Sequence, residues 1–135
     1  MIHYAQLFAD DLDAKGIKYT TQDDRIFKLI FSADNMDSIT LHVYFEKEGR
    51  PLAEIKCWEI INFGDRQELA PELCNQMNNI FRFAKFHVND KGDIYAEVDM
   101  FFTEETVGRF CSEMVGRMVC IVDDAYARLA KARWA

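Results

Sequence analysis

The stretch FAKFHVNDKGDIYAEVDMF (residues 83–101) alternates apolar and polar side chains on both sides of a short polar loop. When its two halves are paired antiparallel, Phe86 lies opposite Ala96, and both fall on one apolar face. The same register places Lys85 opposite Glu97, which brings opposite charges together on the other face. The stretch therefore predicts a β-hairpin with one buried face.

A second hairpin precedes it and uses the same pattern. SITLHVYFE (38–46) and PLAEIKCWEIINF (51–63) alternate in the same way, and the most regular pairing places Val43 opposite Ala53. Both predicted loops end in glycine, at Gly49 and Gly92. Because the left-handed position of such loops carries no steric penalty for glycine, we expect a positive φ at both.

The remaining elements surround these hairpins. Apolar residues at helical spacing predict a helix over residues 2–15, a middle helix from 67–70 to Asn79, and a last helix from Thr103 to about residue 131. RIFKLIF (25–31) reads as one more strand. The order α-β-β-β-α-β-β-α predicts an α+β fold with an antiparallel sheet of hairpins packed with helices, in a single domain over residues 1–135.

The two long helices carry clear apolar stripes. Gly108 and Gly116 lie on nearly the same face of the last helix, which predicts close packing against a neighbour. The expected stripe of the middle helix is Leu69, Leu73, Met77 and Ile80. The expected stripe of the last helix is Val107, Phe110, Cys111, Met114, Met118, Val122, Ala125 and Leu129.

Charge and cysteine usage restrict the partners and the compartment. The formal net charge of −7 argues against nucleic acid and against anionic membranes as partners, because both are bound through Lys and Arg. No signal peptide and no apolar run of membrane-spanning length is visible. Cys57, Cys74, Cys111 and Cys120 show no metal or redox spacing and are predicted to be buried thiols. These observations predict a cytoplasmic protein.

No motif for catalysis, metal or cofactor stands out. Aligning Gly92 with the glycine of a calcium-binding loop places His87 and Lys91 at ligand positions, where neither supplies oxygen. Acidic pairs such as Asp123 and Asp124 are expected to be solvated surface. The three histidines are scattered, and no phosphate-binding or dinucleotide-binding loop is present. We therefore predict a non-enzymatic protein with no cofactor and no metal.

The sheet face that points away from the core is more informative. Its predicted apolar residues are Ile26, Ile30, Tyr44, Trp58 and Ile60. A free antiparallel sheet face is normally polar, so an apolar one needs a cover. Either a helix covers this face or it is the surface for a protein partner or a second copy.

Residues 72–106 also resemble a known family. Asn75 and Asn78 near the end of the middle helix, the strand FAKFHV, and GDIYAEVDM followed by an acidic helix start are similar to the YbjN family of candidate bacterial sensory-transduction regulators. The resemblance implies a fold like that of type III secretion chaperones. It also implies a regulatory, chaperone-like or peptide-binding module that is dimeric, and it carries over no catalytic residue.

Two function classes follow. The first is a protein-binding or peptide-binding adaptor that forms a homodimer and presents the outer sheet face or the middle helix. The second is a small-molecule sensor or an unrecognised enzyme with a pocket between sheet and helices, lined by groups such as His42, Glu54 or Tyr95. Asn75, Asn78 and Asn79 are expected to fasten the helix end to the next strand rather than to form a site.

Overall fold

A computed structural model describes all residues from Met1 to Ala135. The α+β class and the predicted sequence of helices and strands are confirmed, with one additional strand near the N-terminus. The elements are α1 (His3–Ala14), β1 (Thr20–Gln22), β2 (Ile26–Ser32), β3 (Ser38–Phe45), β4 (Leu52–Asn62), α2 (Ala70–Ile80), β5 (Lys85–Val88), β6 (Asp93–Phe101) and α3 (Val107–Arg133). A 3₁₀ segment, Gly64–Leu69, leads into α2.

The six strands form one antiparallel sheet in the order β1-β2-β3-β4-β6-β5. Strand β1 was missed because its three exposed polar residues show no alternation. It is held by a tight turn in which Asp23 and Asp24 have φ of 55° and 56°, the signs of a type I′ hairpin turn.

Helices α1 and α3 pack on one face of this sheet, and α2 packs against the edge strand β5. The core is a single cluster of 32 buried residues and includes no buried polar or charged residue. Phe8 of α1 packs its ring 4.9 Å from Phe27 of β2 and 5.6 Å from Phe45 of β3. None of the helices is long and apolar enough to cross a membrane.

The second hairpin has the predicted register. Phe86 pairs with Ala96, and Lys85 pairs with Glu97. Gly92 has a φ of 82° and Gly49 a φ of 79°, so the left-handed glycine is confirmed in both loops.

The register predicted for the first hairpin was wrong by two residues. Val43 pairs with Ile55 rather than with Ala53, which pairs instead with Phe45. The loop is longer than expected because the Leu52 N–H donates to the Arg50 carbonyl at 2.7 Å, closing a γ-turn around Pro51. A shift of two residues keeps each side chain on its predicted face, so the buried set was unaffected.

Strand β4 contains a bulge that moves one predicted outer residue into the core. Cys57 pairs with Ala96 but Ile61 pairs with Ile94, so three residues of β4 oppose a single residue of β6. Glu59 within this bulge has a φ of 54°. Ile60 was predicted on the outer face, yet it is only 4% exposed and belongs to the core, because it lies within the bulge, where the regular alternation of faces is interrupted.

The junction between α2 and β5 depends on Asn78. Its side chain accepts the Phe86 N–H at 2.6 Å and donates to the Phe86 carbonyl at 3.1 Å. The Asn78 amide therefore makes the two backbone hydrogen bonds that a further strand beside β5 would otherwise make with Phe86. Asn75 and Asn79 are exposed. The structural role predicted for this cluster is therefore confirmed for Asn78. Ile80, predicted within the buried stripe, is exposed at the helix end.

Helix α3 begins at Val107, later than predicted, after a turn in which Thr103 and Thr106 bond to each other. Gly108 confirms the expected close packing, because an added Cβ would lie 2.8 Å from the Cβ of Asp11 on α1. Gly116 does not confirm it, because no atom lies within 4 Å of the place that an added Cβ would take. Phe110 is exposed, and Val115 takes its place in the buried stripe.

Two more sequence expectations change. Asp123 is not a freely solvated carboxylate, because it accepts the backbone N–H groups of Asp34, Asn35 and Met36 at 2.9 to 3.2 Å and so anchors the β2–β3 loop to α3. Of the four cysteines, Cys120 is exposed and the other three are buried. Burial raises the pKa of Cys57 and of Cys111 to about 12 and that of Cys74 to about 11, so these three remain protonated thiols.

Candidate functional site

The outer face of the sheet is not covered by any helix of this chain. The side chain of Ile30 is 60% exposed and that of Trp58 is 41% exposed. Ile26 and Tyr44, also predicted on this face, are half-buried by their neighbours on the sheet. Four of the five predicted surface residues therefore lie on the outer face, and Ile60 does not.

Aromatic side chains cross this face in a continuous row, the aromatic belt, formed by Tyr44, Trp58, Tyr95 and His87. The Trp58 Nε1–H donates to the Tyr44 hydroxyl at 3.0 Å. The ring centroids of Trp58 and Tyr95 are 5.2 Å apart, and those of Tyr95 and His87 are also 5.2 Å apart. The belt joins strands β3, β4, β6 and β5, so it is held rigidly by the sheet.

Charged residues at the centre of the same face form a compact network. Lys56 Nζ lies 3.3 Å from Glu97 Oε2 and 3.7 Å from Glu54 Oε1, and it also lies 4.7 Å from the centroid of the Trp58 ring. Burial raises the pKa of Glu54. The ammonium of Lys56 lowers this pKa, but the nearby carboxylates of Asp99 and Glu97 raise it, and the net shift is upward. Burial alone would lower the pKa of Lys56, but Glu54 and Glu97 outweigh it and raise that pKa.

A small hollow lies beside this network. It has a volume of about 350 Å³, and its lining includes Lys28, Thr40, His42, Trp58 and Glu59. The Nδ1 atom of His42 is buried and has no hydrogen-bond partner. Burial lowers the pKa of His42, and the Lys28 ammonium lowers it further, which favours the neutral imidazole.

The pocket predicted between sheet and helices cannot be built from the residues proposed for it. The side chains proposed for it alternate with the buried positions of their strands and so lie on the uncovered outer face: His42, Glu54 and Tyr95. The interior holds no buried polar residue that could replace them. A binding role for these three side chains therefore belongs to the outer face.

The outer-face network was only partly visible in the sequence. The pairing of Lys85 with Glu97 was predicted, but the participation of Glu54 and Lys56 was not, because the wrong register of the first hairpin placed His42 opposite Glu54. The bulge did leave a signal. In the sequence, the inward-facing apolar residues Ala53, Ile55 and Cys57 are followed two positions later by the charged Glu59, which breaks the apolar period of two.

Comparison with known proteins supports the fold. No protein-family model matches this sequence, and no curated protein sequence is detectably similar to it. Among solved structures, YbjN from E. coli, described as a candidate transcription regulator, superposes with a TM-score of 0.62 over 92% of each chain, at 13% sequence identity. The chain therefore has a YbjN-like fold, as the resemblance of residues 72–106 implied.

Proposed function

We propose that this protein is a non-enzymatic regulatory or chaperone-like module of the bacterial cytoplasm that binds another protein through the outer face of its sheet. The observation that carries the proposal is the one-sided packing of the helices, which leaves Ile30 and Trp58 exposed beside the aromatic belt. Exposed aromatic and aliphatic groups on a rigid surface are the side chains that dominate protein interfaces.

The charges of the molecule favour a protein partner over a nucleic acid. The net charge of −7 opposes binding to phosphate backbones. On the outer face, Lys56 is already paired with Glu54 and Glu97, so it is not free to bind phosphate. The YbjN-like fold is compatible with a regulatory role, since YbjN itself is described as a candidate regulator. A homodimer formed through the same face is part of this proposal.

The test compares exposed apolar residues on two surfaces. Ile30→Asp and Trp58→Ala alter the outer face, whereas Ile80→Asp alters the exposed end of α2. Light scattering gives the mass of each purified variant, and affinity capture from bacterial lysate gives its partners. We expect the two outer-face variants to lose the dimer or the captured partner and Ile80→Asp to keep it. Equal behaviour of all three, or loss only in Ile80→Asp, would contradict the outer-face proposal.

A small-molecule sensor is the second candidate, favoured by the unpartnered Nδ1 of His42 in the hollow next to Lys28 and Trp58. An ammonium, a neutral imidazole and an indole together suit a small planar organic anion. Thermal-shift measurements against a panel of aromatic carboxylates would test it. The expected result is a rise in Tm that is absent in His42→Ala, and an equal rise in both proteins would count against this site.

A further inference from the structure

The charges of the outer face are distributed unevenly between the two halves of the sheet. On β2 and β3, the only Lys, Arg, Asp or Glu at an outer position is Lys28, which is exposed. None of the ion pairs of the chain involves it. At the centre of β4, β6 and β5, three carboxylates face two lysines: Glu54, Glu97 and Asp99 against Lys56 and Lys85. One half of the face is therefore basic, and the other is acidic.

The carboxylate of Asp99 is the least compensated charge of the acidic half. Asp99 lies directly opposite Glu54, and like charges in this arrangement destabilise a strand pair. Glu54 has Lys56 at 3.7 Å, but Asp99 is exposed and takes part in no ion pair. Lys28 cannot reach it within one chain, because β2 and β6 are three strand spacings apart, roughly 14 Å. The two unpaired charges can meet only between two molecules.

Cross-strand pairing arranges the outer side chains in rows that run across the strands. The first row is Ile26, Tyr44, Glu54 and Asp99. The second row is Lys28, His42, Lys56, Glu97 and Lys85. The third row begins with Ile30 and Thr40 and continues through Trp58 and Tyr95, whose ring centroids are 5.2 Å apart. The positions of these rows determine which side chains meet when a second copy packs on the face.

Two copies packed outer face to outer face are related by a two-fold axis that lies in the plane between them. The strand order is β1-β2-β3-β4-β6-β5, so an axis parallel to the strands at the centre of the sheet exchanges β2 with β6 and keeps each row over itself. Lys28 of one copy then lies over Glu97 of the other, with Asp99 in the adjoining row. Ile30 lies over Tyr95, which covers a side chain that is 60% exposed in the single chain.

The other axis through the centre of the sheet, perpendicular to the strands, gives a poorer match of charges. It places each strand over its own copy, so the carboxylates of Glu97 and Asp99 on β6 lie over one another. Carboxylates brought together in this way repel each other. The axis parallel to the strands instead places Glu54 over Tyr44 and Glu97 over Lys28, so no two carboxylates of these rows meet. The charge pattern therefore favours the parallel axis.

We propose that a second copy of this chain packs on the outer face about the parallel axis, with β2 of each copy over β6 of the other and Lys28 paired with Glu97 and Asp99 across the interface. This proposal deepens the outer-face function proposed above and rests on it. Two chains of net charge −7 repel each other at long range, so the dimer is weak and exchanges with the monomer. Because a different partner protein would use the same surface, it and the second copy exclude each other, and dissociation uncovers Ile30 and Trp58.

Analytical ultracentrifugation over a range of concentrations measures the dimer Kd of the full-length protein and its variants. Lys28→Glu and Asp99→Lys each reverse one exposed charge, so both variants should fold. Each variant alone should raise the Kd at least tenfold. An equal mixture of the two should form heterodimers at least fivefold more tightly than either variant forms homodimers, because both contacts between residues 28 and 99 then join opposite charges.

Lys131→Glu on α3 and Glu72→Lys on α2 are matched controls, because they make the same changes of net charge at exposed positions away from the outer face. Each should keep the original Kd within twofold, and their mixture should gain nothing. A protein that stays monomeric at every concentration, or a mixture of Lys28→Glu and Asp99→Lys that gains no affinity, would overturn the proposal. Neither result affects the capture of a different protein, which Ile30→Asp and Trp58→Ala test separately, so this failure is distinguishable from a failure of the outer-face function.

Discussion

The two faces of the sheet are built from alternating residues of the same strands, yet they have opposite surroundings. On the inner face, Phe27 and Leu41 are fully buried beneath the helices. On the outer face, Ile30 and Trp58 remain exposed, next to paired charges. The inner face therefore holds the fold together, and the outer face is available for binding.

Removing an inner side chain should cost far more than removing an outer one from the same strand. Phe27→Ala should lower the free energy of unfolding by about 3–5 kcal/mol, because it leaves a cavity among Phe8, Tyr19 and Phe45. Ile30→Ala, three positions along β2, should change it by less than about 0.5 kcal/mol. Urea unfolding of the two variants measures both values. Similar losses in the two would mean that the outer face is packed as well.

The two glycines of α3 extend the same comparison to the helix layer. Gly108→Ala should destabilise by about 1–3 kcal/mol, because the new methyl group would lie 2.8 Å from Asp11 Cβ. Gly116→Ala should instead stabilise by up to about 1 kcal/mol, since its site is open and alanine favours helix. Thermal unfolding gives the sign of each change. The same sign for both would contradict the placement of α1 against α3.

The aromatic belt should contribute modestly to stability, as expected of a partly exposed surface. Trp58→Phe keeps a ring in place but removes the hydrogen bond from Nε1 to the Tyr44 hydroxyl. The expected loss is about 0.5–1.5 kcal/mol, measured by urea unfolding followed by circular dichroism. Tyr44→Phe removes the same bond from the other partner and should cost a similar amount. A loss above about 3 kcal/mol in either would indicate that the belt belongs to the core.

The smallest effect concerns pH. Because the pKa of Glu54 in the folded protein is raised above its ordinary value of 4.5, the ionised carboxylate destabilises the fold at neutral pH, and this cost disappears as the pH falls below that value. Glu54→Gln should therefore be the more stable protein at pH 7, by less than about 1 kcal/mol at this partly exposed site. Its advantage should shrink as the pH approaches 4. An advantage that grows toward low pH would reverse the assigned sign.

The sequence predicted the fold best where local pattern and loop chemistry agreed. The hairpin of β5 and β6 was predicted in the correct register because its charge pair and its glycine loop require the same alignment. The first hairpin was not, because the γ-turn at Pro51 lengthened the loop without disturbing the apolar alternation. Strand β1 left no pattern, since none of its side chains is buried.

The candidate site was predicted in outline only. The alternation of side chains between the two faces of a regular strand was enough to identify the outer-face residues Ile26, Ile30, Tyr44 and Trp58. It failed at Ile60, where the bulge inserts extra residues. Whether a helix covered the outer face could not be decided from the sequence, because the placement of helices depends on packing between distant elements rather than on local pattern.

Oxidative footprinting of the two tryptophans measures whether the outer face is uncovered in the free protein and covered by a partner in the cell extract. Trp58 lies on the outer face, and Trp134 is an exposed internal reference at the end of α3. In dilute purified protein we expect ready oxidation of both, and in native lysate we expect slower oxidation of Trp58 alone. Slow oxidation of Trp58 in the dilute protein, or equal rates in lysate and buffer, would contradict an uncovered outer face that binds a partner.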